Sequence, residues 1–296
     1  MQKIDVMQYI PQSRERLDQL GANYIGADNF EAVAETIEGV NCAWIKVPNA
    51  SSEHIILHLH GGAYFQGSIK SHTTFSSQIS SRIGVNTLLP EFGRAPEAPF
   101  PQGLNECVRL YQYLLKKFKH VTLVGDSSGG GLALALIEKL IKLNLPLPQS
   151  YVGIYPWVDV RDEASREAFE SIGDSSPEGA PLLIDLANLY CNGESKTNSL
   201  ISPIFSDLKG YPPMLIQIGT KDFLYSQCAR FAKKAKNEGV EIVFDVYKDM
   251  SHGWHLFAPD IPENGLAYDN IAKFVKKHVA KSKPQKKMPL TKTRRA

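Results

Sequence analysis

The stretch "VTLVGDSSGGGLALAL", residues 121–136, decides the fold. An apolar run halts at Gly125, two serines follow among four glycines, and small and apolar residues resume. The pattern reads as a buried strand, a tight turn and an apolar helix. Gly125-Asp126-Ser127-Ser128-Gly129 fits the G-x-S-x-G spacing only with Ser127 at its centre. Such a turn forces its central residue into a strained backbone conformation. Side chains two residues to either side would collide, so glycine is required there. The Ser127 hydroxyl is then lifted above the sheet edge at a helix N-terminus. The backbone N–H of Ser128 points where an oxyanion would form, and the Ser128 hydroxyl is incidental in this reading. A phosphate cradle is the competing interpretation, but both Gly-Lys-Ser/Thr and G-x-G-x-x-G are absent here.

Outward from the turn, strand-like runs fall at 42–47, 54–60, 85–90, 121–125, 151–156, 213–219 and 241–247. The fourth and sixth are nearly apolar throughout, as strands covered on both faces are. Helical patterns occupy 71–83, 103–118, 130–143, 226–239 and 266–279. Strands alternating with helices predict a mostly parallel sheet flanked by helices. Two segments break the alternation. Residues 1–41 read as short helices ahead of the sheet. Residues 158–210 are longer than a crossover needs and read as an inserted lid, with an amphipathic helix at 180–193. One domain over 1–280, with cap elements at 1–41 and 158–210, is the expected organisation.

Composition narrows the function classes. The 296 residues are 43% hydrophobic and 22% charged, ordinary for a globular chain. Residues 281–296 hold seven Lys/Arg and no acid, and the net charge of +2 becomes −5 when they are set aside. This is a mildly acidic globule with a basic, disordered, solubilising tail, and no nucleic-acid partner is expected. No apolar run reaches membrane-spanning length, and no signal-peptide core opens the chain. Cys42, Cys107, Cys191 and Cys228 are scattered and read as reduced thiols in a cytoplasmic protein.

The elbow needs partners. "HLHGGAYFQGS" follows a strand, and its small residues let successive backbone N–H groups converge on one oxygen. Gly62 and Ala63 are the expected donors, Gly61 shapes the turn, and His60 braces the loop. His54, His58 and His60 alternate along one strand and offer a competing metal site, but no clustered carboxylate or thiolate accompanies them. A base should come last in chain order, after an acid. "YKDMSHGWHLF" offers His252 and His255; His252, beside Gly253 in a loop, is preferred. Asp222, three residues past Gly219, is the expected acid that holds the imidazole tautomer.

These segments together resemble the hormone-sensitive-lipase-like branch of the α/β-hydrolase carboxylesterases. The resemblance covers roughly residues 40–280. It rests on "HGGAYFQGS", "PEFGRAPEAPFPQGLNEC", "GDSSGGGLALAL", "YPWVDV", "SPIFSDLKGYPPMLIQIGTKDFL" and "DMSHGW". Three departures stand out. Ala63 replaces the third loop glycine, Gly93 stands where the family carries an arginine, and Ser226 stands where a second acid often follows. The resemblance implies an α/β-hydrolase fold with a helical cap from the N-terminus and an insertion. It implies two-step acyl transfer by Ser127, Asp222 and His252, with the amides of Gly62, Ala63 and Ser128 holding the oxyanion. It implies small or short-acyl ester substrates, no cofactor, no metal, and pairing of an outer strand or helix into a homodimer. Tyr64, Phe65, Trp157 and Phe223 are the expected pocket walls. A lactonase or deacetylase, or a non-catalytic small-molecule binder on the same fold, are the alternatives.

Overall fold

A computed structural model of the protein describes residues 4–176, 179–258 and 260–281. Residues 282–296 of the expected basic tail lie outside these. Eight strands are found among the described residues: β1 Glu31–Ile37, β2 Val40–Lys46, β3 His54–Leu59, β4 Thr87–Pro90, β5 His120–Asp126, β6 Ser150–Ile154, β7 Met214–Gly219 and β8 Ile242–Tyr247. They form one sheet in the order β1-β2-β4-β3-β5-β6-β7-β8. The β1–β2 and β2–β4 pairs are antiparallel, and every pair from β4 through β8 is parallel. The helices are α1 Val6–Ala22, α2 Ile69–Ile83, α3 Gln102–Lys117, α4 Ser127–Lys142, α5 Asp162–Ser171, α6 Ala180–Cys191, α7 Tyr225–Asn237, α8 Trp254–Phe257 and α9 Pro262–Lys281. Packing joins α2 to α9 and α3 to α4, while α7 lies along β7 and β8.

The sequence pattern accounts for most of this. β3, β5 and β7 are buried at every position, as their apolar runs require. β5 and α4 are joined with no intervening residue, so the chain must turn within a single residue. The sheet's parallel strands all end on the same side, which gathers the β3–α2, β5–α4 and β7–α7 connections and the loop after β8 at one edge.

Residues 1–41 differ from expectation. Among the described residues they hold one helix, α1, and then β1, which belongs to the sheet. β1 escapes a reading by hydrophobic pattern because it is an edge strand. Positions 31–36 are exposed and only Ile37 is buried. Its partner is set by a two-residue turn at Glu38 and Gly39, with φ of 50° and 81°, which pairs Ile37 with Val40. The insertion at 158–210 does carry the helices α5 and α6. Ile10 of α1 and Leu182 and Leu186 of α6 close over Phe65 in a small buried cluster. Burying each such side chain contributes roughly 1.5–3 kcal/mol, so apolar contact helps dock α1 and α6.

Candidate active site

Ser127 adopts φ 49°, a left-handed conformation that side chains rarely take. The reason lies in its neighbours. A Cβ on Gly125 would sit 2.5 Å from the Gly129 carbonyl oxygen, and a Cβ on Gly129 would sit 2.0 Å from the Leu59 carbonyl oxygen. Neither distance is possible, so the glycine spacing is a packing requirement of β3, β5 and α4. The Trp157 N–H donates to the Ser127 carbonyl at 2.8 Å and pins the turn from the segment that follows β6.

The structure brings the three expected side chains together. His252 Nε2 lies 3.1 Å from Ser127 Oγ, and His252 Nδ1 lies 3.0 Å from both oxygens of Asp222. Asp222 is buried after β7, and one of its oxygens also accepts from the Leu224 N–H at 2.8 Å. A carboxylate only accepts, so Nδ1 carries the proton and the Nε2 lone pair faces the hydroxyl. The rings of Tyr155 and Phe223 flank the imidazole, with centroids at 4.6 and 4.5 Å. An imidazole so held can accept the Ser127 proton and, once charged, be stabilised by Asp222.

His255 is turned away. It is buried in α8, its ring tilted against Trp254 with centroids at 3.7 Å, and Nε2 lies 3.0 Å from Gln217 Oε1. The Gln217 amide nitrogen donates to Asp245, Tyr247 and the Ala267 carbonyl, so its oxygen must accept from His255 Nε2–H. Burial pushes the His255 imidazole down to about 3. His54, His58 and His60 likewise have separate partners: Thr122, the pair Ser76 and Asp126, and the Gly61 carbonyl. No group of three or more His, Cys, Asp or Glu among the described residues is placed to hold a metal ion.

The 61–67 loop faces the elbow. The Gly61 N–H donates to Asp126 Oδ1 at 3.0 Å, so this amide is committed and shapes the turn rather than facing an incoming oxygen. The Tyr64 N–H donates to Ser128 Oγ at 3.1 Å. The Ser128 hydroxyl is therefore not incidental: buried under the loop, it fixes where the loop sits. Between these two anchors, the Gly62 and Ala63 amides donate to no protein acceptor among the described residues. The Ser128 amide lies in the first turn of α4, where helix N–H groups lack an intrahelical acceptor. Asp126 takes further donors from His58 at 3.2 Å and His72 at 3.3 Å. Burial alone would raise its carboxyl, but the adjoining His72 and His58 outweigh that and hold it well below the usual carboxylate range. Sequence reading missed this role, although Asp126 lies inside the motif.

Among the described residues, a cavity of about 220 Å³ opens onto Ser127 and His252. Phe65, Trp157 and Phe223 line it, together with Phe169, Leu182 and Leu186. Tyr64 does not. Its ring stacks on Tyr190 at 3.7 Å and packs against Trp157, because φ 65° at Tyr64 turns the side chain into the core. Tyr155, which the strand-like reading of 151–156 left unremarked, takes its place beside the imidazole.

Likeness to known proteins identifies the family. A family model for the alpha/beta hydrolase fold matches residues 56–256. An acetyl-hydrolase of Streptomyces hygroscopicus is 32% identical over 250 residues, covering 81% of each chain. The crystal structure of an esterase/lipase from an uncultured bacterium superimposes with TM-score 0.85 at 31% identity, covering 92% of each chain. An esterase of the bacterial hormone-sensitive lipase family does so with TM-score 0.82 at 31% identity, covering 94% of this chain and all of that one. Fold, motif spacing and relatives thus converge, and the chain belongs to the hormone-sensitive-lipase-like family of α/β-hydrolase-fold carboxylic ester hydrolases.

Proposed function

We propose that the protein hydrolyses small or short-acyl esters by acyl transfer through Ser127. The observation that carries this is the chain of contacts from Ser127 Oγ to His252 Nε2 at 3.1 Å and from His252 Nδ1 to Asp222 at 3.0 Å. Ser127 Oγ adds to the ester carbonyl as His252 takes its proton. The amides of Gly62, Ala63 and Ser128 receive the negative oxygen. The tetrahedral intermediate collapses as His252 returns the proton to the departing alcohol. A water, deprotonated by the same imidazole, then releases the acid and restores the hydroxyl.

The small apolar cavity supports a short acyl group over a long one. The cap in this reading is α1 with the 158–210 insertion, over a single hydrolase domain. Four free, buried cysteines support a cytoplasmic setting. No helix among the described residues is long and apolar enough to cross a membrane. β8, an edge strand with Val243 and Val246 partly exposed, is the surface we assign to a homodimer. Deacetylation of a specialised metabolite is the second reading, favoured by the acetyl-hydrolase relative.

A fluorophosphonate probe followed by peptide mapping tests the assignment. Label on Ser127 is expected, together with a loss of p-nitrophenyl acetate hydrolysis on the order of 10⁴–10⁶-fold in a folded Ser127→Ala variant. Full activity in that variant would refute the reading.

A further inference from the structure

We propose that Arg14 is a positioning residue for the oxyanion amides. Its guanidinium ties α1 to the outer side of the 61–67 loop, so the docking of α1 sets the geometry in which the Gly62 and Ala63 amides meet the substrate oxygen. The inference rests on the preceding reading of that loop.

Three successive loop residues have positive φ: Gly62 at 123°, Ala63 at 49° and Tyr64 at 65°. Two of them carry a Cβ, and an isolated chain would not hold this conformation. It is imposed from both sides. On the inner side, Asp126 and Ser128 accept the Gly61 and Tyr64 amides. On the outer side, four of the loop's oxygens accept from donors outside it. The Ala95 N–H reaches the Tyr64 carbonyl at 2.9 Å, Arg14 Nε reaches the Phe65 carbonyl at 2.7 Å, and Ser13 Oγ reaches Gln66 Oε1 at 2.6 Å. Arg94 Nη1 bonds the Gly67 carbonyl.

Arg14 does more than close one contact. Its Nη2 also donates to the Ala95 carbonyl at 2.9 Å, and both terminal nitrogens grip Glu97, at 2.8 and 2.7 Å. One planar group thereby fixes α1, the oxyanion loop and the 94–97 segment against one another, a task for a rigid fork of donors rather than an ammonium. No side chain within the 93–97 segment takes this part. Arg94 is engaged with Gly67 and Glu91. A Cβ on Gly93 would already lie 2.7 Å from the Ala98 Cβ, so no arginine fits there.

The test compares steady-state hydrolysis of p-nitrophenyl acetate, and binding of an aryl trifluoromethyl ketone, by the full chain and by Arg14→Ala, Arg14→Lys and Glu97→Gln. The ketone adds Ser127 Oγ and presents an oxyanion, so its affinity reports the amides directly. For Arg14→Ala, kcat should fall about 10–100-fold with KM within about threefold. Ketone affinity should fall in parallel, and methylguanidinium should restore part of the turnover where methylammonium does not. Arg14→Lys should recover little, and Glu97→Gln should stay within about threefold. A rise in KM with unchanged kcat, or a lower melting temperature with unchanged kcat and ketone affinity, would overturn the inference. If Arg14→Ala does not fold, Arg14→Lys is judged by the same ratios. Failure of the underlying reading looks different: the unsubstituted protein would then not be labelled on Ser127 at all.

Discussion

The elbow at Ser127 and the loop at 61–67 press against each other, yet the loop leans on side-chain anchors far more than the elbow does. At the elbow, backbone meets backbone: Gly129 lies so close to Leu59 and His60 that no side chain can intervene. The Trp157 amide closes on the Ser127 carbonyl from outside the neighbouring strands. The loop's glycines are packed as closely, a Cβ on Gly67 lying 2.0 Å from the Gly61 carbonyl oxygen, but side chains from elsewhere in the chain also hold it. Its path depends on side chains of Asp126, Ser128, Ser13, Arg14 and Arg94. Changes at the side chains the elbow presents should therefore act in an all-or-none way, and changes in the loop's supports should act by degrees.

His252→Ala is the severest trial of that contrast. Turnover of a p-nitrophenyl ester should fall on the order of 10⁴–10⁶-fold in protein that still melts cooperatively, and adding Ser127→Ala should cost little more. Additive losses would mean the two groups do not act as a unit. Asp222→Asn should follow at about 10³–10⁴-fold, because an amide lets the wrong tautomer face Ser127. On the loop side, Ser128→Ala leaves the 128 amide in place and strips the Tyr64 N–H of its acceptor. A loss of about 1–3 kcal/mol in urea unfolding is expected, with turnover reduced less than about tenfold. A loss matching that of His252→Ala would move the attacking hydroxyl to position 128 and collapse the distinction between the two regions.

That distinction also explains what the sequence discloses. Gly125 and Gly129 are legible because steric exclusion must be written at the excluded positions themselves. Seven of the eight strands described appear as strand-like runs; β3 to β7 are buried at every position, which leaves a local record, while β2 and β8 are only part buried. His252 and Asp222 are found through order and loop position. Arg14 leaves no record. In "PQSRERLDQL" it is one of two arginines on a polar helix, and its partners lie from 51 to 83 residues away. Glu97 is no better as a guide. It is 64% exposed, and its carboxyl is held down at about 2 by Arg14, a contact no spacing announces. An exposed pair of this kind contributes roughly 0–1 kcal/mol. The clasp's importance thus lies in the direction it gives the loop, which no propensity encodes. β1 was hidden for a related reason, since an exposed edge strand owes its place to a turn and a partner rather than to its own composition.

His255 offers the smallest effect on turnover and the sharpest control on histidine identity. It stands three residues from His252, on the same loop-to-helix connection, but it faces the core. In the folded chain it stays neutral down to about pH 3, whereas in the unfolded chain it takes a proton near pH 6.5. Between those values the unfolded state binds more protons, so acidification from 6.5 downward draws stability out of the fold. The full contribution is present only above that range. His255→Gln removes this titration and one hydrogen bond to Gln217. The variant should turn over ester within about threefold of the parent and melt lower at pH 7.5. Its stability should then decline less steeply toward pH 5, the slope being shallower by up to ~1.4 kcal/mol per pH unit. Urea melts at several pH values read that slope directly. A variant that lost turnover as His252→Ala does, with its pH slope unaltered, would put the working imidazole at position 255 and leave the contact between His252 and Ser127 without a purpose.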